Sequence, residues 1–138
     1  MITIKTPKEI AIMRKGGKIL AETLKEVLFH AVAGMSELEL DAMAEEFIRE
    51  NGAEPGFQKV EGYKHTICVS TNDVVVHGIP TNYKLKNGDV LGIDCGVFLD
   101  GFHTDMSETI IIGGKSKTTP DVVTFVEAGK KALELAIA

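Results

Sequence analysis

The stretch LGIDCGVFLDGFHTDMSETIII, residues 91–112, has the pattern of two β-strands joined by a tight turn. The pair Asp100-Gly101 at its centre is a strong signal for a two-residue hairpin loop. If this pair forms the loop, Leu99 pairs with Phe102 and the register of the whole hairpin follows from that pairing. The stretch therefore predicts an antiparallel β-hairpin.

Two aspartates fall on one face of this hairpin. Asp94 is the only charged residue between Val90 and Leu99, and a buried carboxylate is costly unless it is paired or binds a metal. The predicted register puts Asp94 opposite Ser107 and makes Asp105 its diagonal neighbour, roughly 7–8 Å away at the backbone. The two carboxylates are therefore candidates for a shared cation. A register shifted by one residue would separate them, and an exposed hairpin with two solvated acids is the alternative.

Two helices are predicted before the sheet. Both begin with a capping box, at Thr6–Glu9 and at Ser36–Glu39, and the second ends at Asn51-Gly52. Apolar residues recur at helical spacing after each start. The pair Gly16-Gly17 is predicted to interrupt the first helix.

The remaining elements complete the fold class. The segments HTICVS (65–70) and DVVVH (73–77) are predicted to be strands, and a third helix starts at Thr119-Pro120 with an apolar side. Two helices, an antiparallel sheet and a third helix give an α+β fold, with helices packed on an antiparallel sheet. We expect residues 1–138 to form a single domain that ends within a helix.

Composition narrows the functional class. The chain has 138 residues, 44% hydrophobic and 25% charged, with a net charge of −5. These values predict one globular domain and favour neither nucleic acid nor an anionic membrane as a partner. The N-terminus lacks a secretory signal pattern, and the two cysteines, Cys68 and Cys95, lie in strand-like runs. We therefore expect no disulfide and a cytoplasmic location.

The segment STNDVVVHGIP (70–80) raises a question about His77. The valines that precede it favour a buried strand, and the Gly-Ile-Pro that follows it favours a turn. His77 is therefore either a core histidine or a functional group that faces a cleft. Of the other histidines, His103 shares the predicted face of Asp105 and is a second-choice ligand, whereas His65 has no obvious partner.

Three longer segments carry a family resemblance. YKHTICVSTNDVVVHGIP (63–80) and LKNGDVLGIDCGVFLDGFHTDMSETIIIGG (85–114) resemble the N-terminal half of type I, or bacterial-type, methionine aminopeptidases. The opening IKTPKEIAIMRKGGKI (4–19) is similar to the first helix of that family. The resemblance covers essentially all of the chain.

The resemblance implies half of a pita-bread fold and an enzyme that removes the initiator methionine from nascent polypeptides. It implies that Asp94 and Asp105 are two of the five ligands of two divalent metal ions, with Co, Mn, Fe or Zn as candidates. His77 matches a histidine that contacts the substrate and acts in catalysis. Tyr63 and Cys68 match positions that line the pocket for the methionine side chain.

The sequence departs from the family pattern mildly within the matched segments. Asp73 stands where glutamate is commoner, and Thr104 stands where glycine is commoner. The family takes its other metal ligands, one histidine and two glutamates, from a second half that these 138 residues do not include. A glutamate of that half is the expected proton carrier.

Three arrangements would reconcile the resemblance with the missing ligands. The chain is a fragment of a full enzyme, a half that pairs with another chain, or a half that self-associates and brings four carboxylates to a twofold axis. A non-catalytic pita-bread module that binds peptides or partners is the alternative function. Prolidase-like dipeptidases, which also use a paired-aspartate hairpin, are less similar because they lack the Val-His-Gly-Ile-Pro context.

Overall fold

A computed structural model describes residues 3–138 of the protein. These residues form three α-helices and four strands in the order α1 (Pro7–His30), α2 (Glu37–Glu50), β1 (Glu54–Pro55), β2 (Ile67–Thr71), β3 (Val90–Leu99), β4 (Phe102–Ile111) and α3 (Pro120–Ile137). The predicted order of two helices, a sheet and a third helix is confirmed.

Strand β3 is the centre of an antiparallel sheet. It pairs with β4 on one side and with β2 and the short β1 on the other. Leu99 pairs with Phe102, as the sequence predicts, because Asp100 and Gly101 both adopt positive φ angles, 47° and 89°, in the two-residue turn.

The hydrophobic core lies on one face of β3. Alternate residues along this strand point to that face and are almost completely buried. Helix α1 packs directly on β3, and α2 packs beside it on α1, β1 and β2. The core combines these strand residues with apolar residues of both helices: Leu91, Ile93, Cys95, Val97 and Leu99 from β3, and Leu20, Leu24, Val27, Leu40, Ala44 and Ile48 from the helices. The expected packing of helices on an antiparallel sheet is confirmed. Asp94 lies on the opposite face of β3, which these helices do not cover.

Both predicted capping boxes form. The Thr6 hydroxyl accepts from the Glu9 amide at 3.4 Å, and the Glu9 carboxylate accepts from the Thr6 amide at 2.7 Å. Ser36 and Glu39 make the same reciprocal pair at the start of α2. The predicted interruption at Gly16-Gly17 is wrong, because α1 continues through this pair while it packs against β3 and β4.

The segment 73–77 is not a strand, so this prediction is also wrong. β2 ends at Thr71, and Asn72 turns the chain with a φ of 54°. Val75 is 88% exposed, and its two valine neighbours are also largely exposed. The amide of Val69 donates to the carbonyl of Gly78 at 2.8 Å, so the chain folds back on β2 and the β-branched residues form an exposed loop. Tertiary geometry overrides their strand propensity.

Helix α3 forms where predicted, but none of its residues is buried. The exposed apolar side chains of α3 are Phe125, Leu133, Leu135 and Ile137. The helix contacts β4 near Glu108, whose carboxylate pairs with Lys130 at 2.9 Å.

The two cysteines point to opposite faces of the sheet. Cys68 pairs with Asp94 on the open face, whereas Cys95 pairs with Ile67 on the core face, and both thiols are free. Within residues 3–138, every helix is too short or too polar to cross a lipid bilayer.

Candidate active site

A cavity of about 410 Å³ opens on the face of the sheet opposite the core. It contains all five residues that the family resemblance assigns to the site, and three apolar residues complete its wall. The lining residues are Phe57, Val60, Tyr63, Cys68, His77, Ile79, Asp94 and Asp105. The hairpin, β2 and the two loops on either side of β2 therefore meet at one site.

Asp94 and Asp105 converge in this cavity. The register pairs Asp94 with Ser107 and Asp105 with Gly96, so the two acids are diagonal neighbours on one face, as the sequence predicts. Burial, followed by the charge of Asp105 and a hydrogen bond with it, raises the pKa of Asp94 to about 6. At neutral pH the pair therefore carries negative charge that a cation would neutralise.

The donor set fits part of a divalent metal centre. Two carboxylates provide the hard oxygen ligands that Mn and similar ions accept, and imidazole nitrogen is a further ligand type for such ions. Among the described residues, 3–138, no group of three or more His, Cys, Asp or Glu side chains is arranged to hold a metal ion. Within these residues, the aspartate pair is the part of the cavity lining that fits a divalent ion.

His77 reaches the cavity from the exposed loop after β2. Its φ angle is 54°, a left-handed conformation that is uncommon for a residue with a side chain. The imidazole lies close enough to Asp94 to offset part of the rise in the pKa of that carboxyl caused by burial and by Asp105. The structure thus answers the question raised by the sequence, since His77 faces a cleft rather than the core.

The residue after His77 must be glycine for the loop to pack on β2. A Cβ atom at Gly78 would lie 1.9 Å from the carbonyl oxygen of Val69, far inside van der Waals contact. The amide of Gly78 donates to the Ser70 hydroxyl at 3.4 Å. Close backbone contact with β2 therefore fixes the chain immediately after His77.

Tyr63 and Cys68 form one wall of the cavity. The Tyr63 hydroxyl donates to the Ile67 carbonyl at 2.8 Å and lies 3.3 Å from the Cys68 sulfur. Burial raises the pKa of both the Tyr63 hydroxyl and the Cys68 thiol, while their contact adds to the rise in the pKa of Tyr63 and offsets part of the rise in the pKa of Cys68. Both groups are neutral at physiological pH, so they suit a polarizable wall and not a nucleophile.

The site predicted from the sequence left out the apolar residues of the cavity, among them Phe57. This ring packs against Gly96, where a Cβ atom would lie 2.7 Å from a Phe57 ring carbon. A glycine in the middle of a strand often marks a close approach, so Gly96 was the available signal. Val60 and Ile79, which also line the cavity, had no comparable signal.

The other histidines lie outside the cavity lining. His65, which had no partner in the sequence reasoning, places Nδ1 2.7 Å from the carboxylate of Asp41. The second-choice ligand His103 packs its ring against Phe98, with ring centroids 4.8 Å apart. Asp41 also accepts from the amides of Thr66 and Ile67, so it anchors the start of β2 beside the Tyr63 wall.

Known proteins share this fold and sequence. The model of metallopeptidase family M24 matches residues 11–138. A methionine aminopeptidase of Clostridium perfringens is 43% identical over 127 residues, which cover 92% of this chain and 51% of that protein. The chain spans about half the length of the curated relatives it matches.

Solved structures give the same result. The methionine aminopeptidase of Thermotoga maritima superposes with a TM-score of 0.93 and 36% identity, covering 99% of this chain and 54% of that one. The prolidase of Pyrococcus horikoshii superposes with a TM-score of 0.71 and 25% identity, covering 81% of this chain and 30% of that one. Helices packed on an antiparallel sheet here form one half of a pita-bread fold, and the chain belongs to metallopeptidase family M24.

Proposed function

We propose that this chain supplies half of the active site of a metal-dependent methionine aminopeptidase, which removes the N-terminal methionine from nascent polypeptides. The observation that carries the proposal is the convergence of Asp94 and Asp105 in one cavity with His77, Tyr63 and Cys68. The similarity to methionine aminopeptidases over 92% of the chain supports the choice of substrate. A second half with the remaining ligands completes the site in this proposal.

Each residue has a distinct role in the proposed reaction. Asp94 and Asp105 would hold two divalent ions, with Co, Mn, Fe or Zn as candidates. When bound, such ions polarise a peptide carbonyl and activate water for attack on it. His77 would donate a hydrogen bond to the carbonyl oxygen, where negative charge develops in the transition state.

The neutral wall of the cavity would select the methionine side chain. Tyr63 and Cys68 present polarizable surface to a thioether, and Phe57 extends this surface with an aromatic ring. The apolar side chains Phe57, Val60 and Ile79 in its lining would favour methionine over a polar side chain. The enzyme would act on new polypeptides, which are made in the cytoplasm, so we place it in the cytoplasm.

The test combines metal uptake with hydrolysis. Calorimetry with Mn²⁺, and release of methionine from a methionyl peptide with Mn²⁺ or Co²⁺, are compared for wild type, Asp94→Asn and Asp105→Asn. Loss of either carboxylate is expected to lower metal affinity by more than about 100-fold. Even a residue that only hydrogen-bonds a metal ligand lowers metal affinity by about 10- to 100-fold when it is lost. Asp100→Asn is the matched control, since it removes one charge in the same hairpin but keeps a residue suited to the turn. Equal metal uptake by all four proteins would contradict the proposal.

A second candidate function is binding of peptides or partners without catalysis. The specific observation in its favour is the incomplete donor set of residues 3–138, with no group of three or more possible ligands. In one version two copies associate, and their four carboxylates form the metal site around a twofold axis. Binding of a methionyl peptide without its hydrolysis supports this function over the enzyme. A sedimentation measurement that finds only monomers, together with no metal uptake, eliminates the self-associating version.

A further inference from the structure

The loop that carries His77 has little packing of its own. Its valines and Ile79, which is 62% exposed, leave much of its apolar surface in solvent. His77 also holds a left-handed backbone conformation, which costs free energy for a residue with a Cβ atom. Contacts at the two ends of the loop must therefore contribute to holding its conformation.

One buried carboxylate contacts both ends of this loop. Glu37, at the start of α2, is only 5% exposed. One of its oxygens accepts from the Thr71 hydroxyl at 2.7 Å, where β2 ends and the loop begins. The other accepts from the Thr81 hydroxyl at 2.7 Å and from the Thr81 amide at 3.0 Å, where the loop ends.

Backbone contacts reinforce this connection. The amide of Leu38 donates to the carbonyl of Thr81 at 3.1 Å, and the amide of Glu37 donates to the carbonyl of Tyr83 at 3.2 Å. The first turn of α2 is therefore fastened to the segment that follows the loop. Hydrogen bonds to a buried carboxylate are stronger than neutral ones, so the three contacts of Glu37 are the strongest link across the base of the loop.

We propose that Glu37 is a positioning residue, which ties the two ends of the 72–80 loop together and thereby fixes the place of the His77 imidazole in the cavity. The carboxylate itself does not line the cavity that holds His77. Its effect reaches His77 through Thr71 and Thr81. The inference rests on the proposed function for its consequence in catalysis, but the tie between Glu37 and the loop can be tested separately.

The structural test measures the order of the loop. Backbone ¹⁵N relaxation gives order parameters for His77 and Gly78 in wild type, Glu37→Ala, Glu37→Gln and Thr81→Val. We expect order parameters of about 0.85 in wild type and below about 0.6 in Glu37→Ala, the ranges of rigid and flexible backbone. Thr81→Val loses one hydroxyl donor but keeps the amide contact, so its order parameters are expected to lie between these values. This variant tests the proposal even if Glu37→Ala fails to fold.

Glu39→Gln is the matched control. Glu39 lies on the same turn of α2, and its side chain hydrogen-bonds in the described residues to Ser36 and Lys84 rather than to Thr71 or Thr81. Glu39→Gln is expected to leave the loop ordered, although it weakens the helix start. Unchanged order in Glu37→Gln and Thr81→Val, or an equal loss of order in Glu39→Gln, would overturn the proposal.

The functional test uses methionyl-peptide hydrolysis by the enzyme with both halves present. A displaced catalytic group lowers the rate of the chemical step, so Glu37→Gln is expected to lower kcat by about 10- to 100-fold with a smaller change in KM. Glu39→Gln at equal thermal stability is expected to keep the wild-type kcat. Absence of hydrolysis in the wild type would remove the proposed function and the catalytic consequence, whereas the relaxation data would still decide whether Glu37 orders the loop.

Discussion

Helices α1 and α3 begin with the same pair of residues, Thr6-Pro7 and Thr119-Pro120, but their surroundings differ. α1 buries Leu24 to 1% exposure against the sheet and α2, whereas α3 leaves Leu133 59% exposed. Both helices have an apolar side. The comparison shows that a sequence pattern specifies a helix and its apolar side, while burial depends on whether another element faces that side.

The largest expected difference concerns the apolar residues themselves. Leu24→Ala on α1 is expected to lower the free energy of unfolding by about 2–5 kcal/mol, because it opens a cavity in a packed core. Leu133→Ala on α3 is expected to change it by less than about 0.5 kcal/mol, as at an exposed site. Urea unfolding of both variants measures the difference, and equal effects would mean that α3 is packed as tightly as α1.

The helix starts should differ by a smaller amount. Thr6 accepts a hydrogen bond from the Glu9 amide, whereas Thr119 makes no side-chain cap contact. Thr6→Ala is expected to cost about 1 kcal/mol, and Thr119→Ala close to nothing. Thermal unfolding of the two variants checks this, and a comparable loss in both would show that α3 is capped in solution.

The glycines test whether each helix unfolds with the core. A Cβ atom at Gly17 of α1 or at Gly129 of α3 would meet no other atom within 4 Å. Gly17→Ala is expected to raise the free energy of unfolding by about 0.5–1 kcal/mol through helix propensity. Gly129→Ala is expected to leave global stability unchanged in residues 1–138, because α3 buries no residue and we expect it to open independently of the core. A matching gain at Gly129 would contradict that independence, and hydrogen exchange along both helices measures it directly.

The smallest expected difference is in pH dependence. The pKa of Glu9 lies below its ordinary value of 4.5, chiefly because its carboxylate accepts from the Thr6 amide and then from the Thr6 hydroxyl. This stabilisation is fully present above pH 4.5 and is lost as pH falls through the lowered pKa. Wild type and Glu9→Gln, unfolded by urea between about pH 7 and pH 3, should therefore converge at the acid end. In α3 the corresponding position is Val122, so no such convergence is expected for a variant there.

The elements that the sequence predicted correctly depend on local chemistry. Asp100-Gly101 sets the turn, the turn sets the register, and the register brings Asp94 and Asp105 to one face. The capping boxes likewise involve residues three positions apart, so their partners can be read from the chain.

The errors and omissions depend on contacts between distant segments. The valines at 74–76 have high strand propensity, but the chain folds back through the bond from Val69 to Gly78, which no local pattern reveals. The contact of Glu37 with Thr81 joins residues 44 positions apart in the sequence. The exposure of α3 has the same kind of cause, since burial of its apolar side requires a surface that the described residues do not supply.

Strand β4 has one free edge. It spans ten residues and hydrogen-bonds to β3, and among residues 3–138 no strand lies on its other side. A row of unpaired amides and carbonyls is a template on which another extended chain can add, including a second copy that is partly unfolded. When these residues are purified alone, this edge is the place where aggregation would begin, and protein concentration would have to be kept low to prevent it.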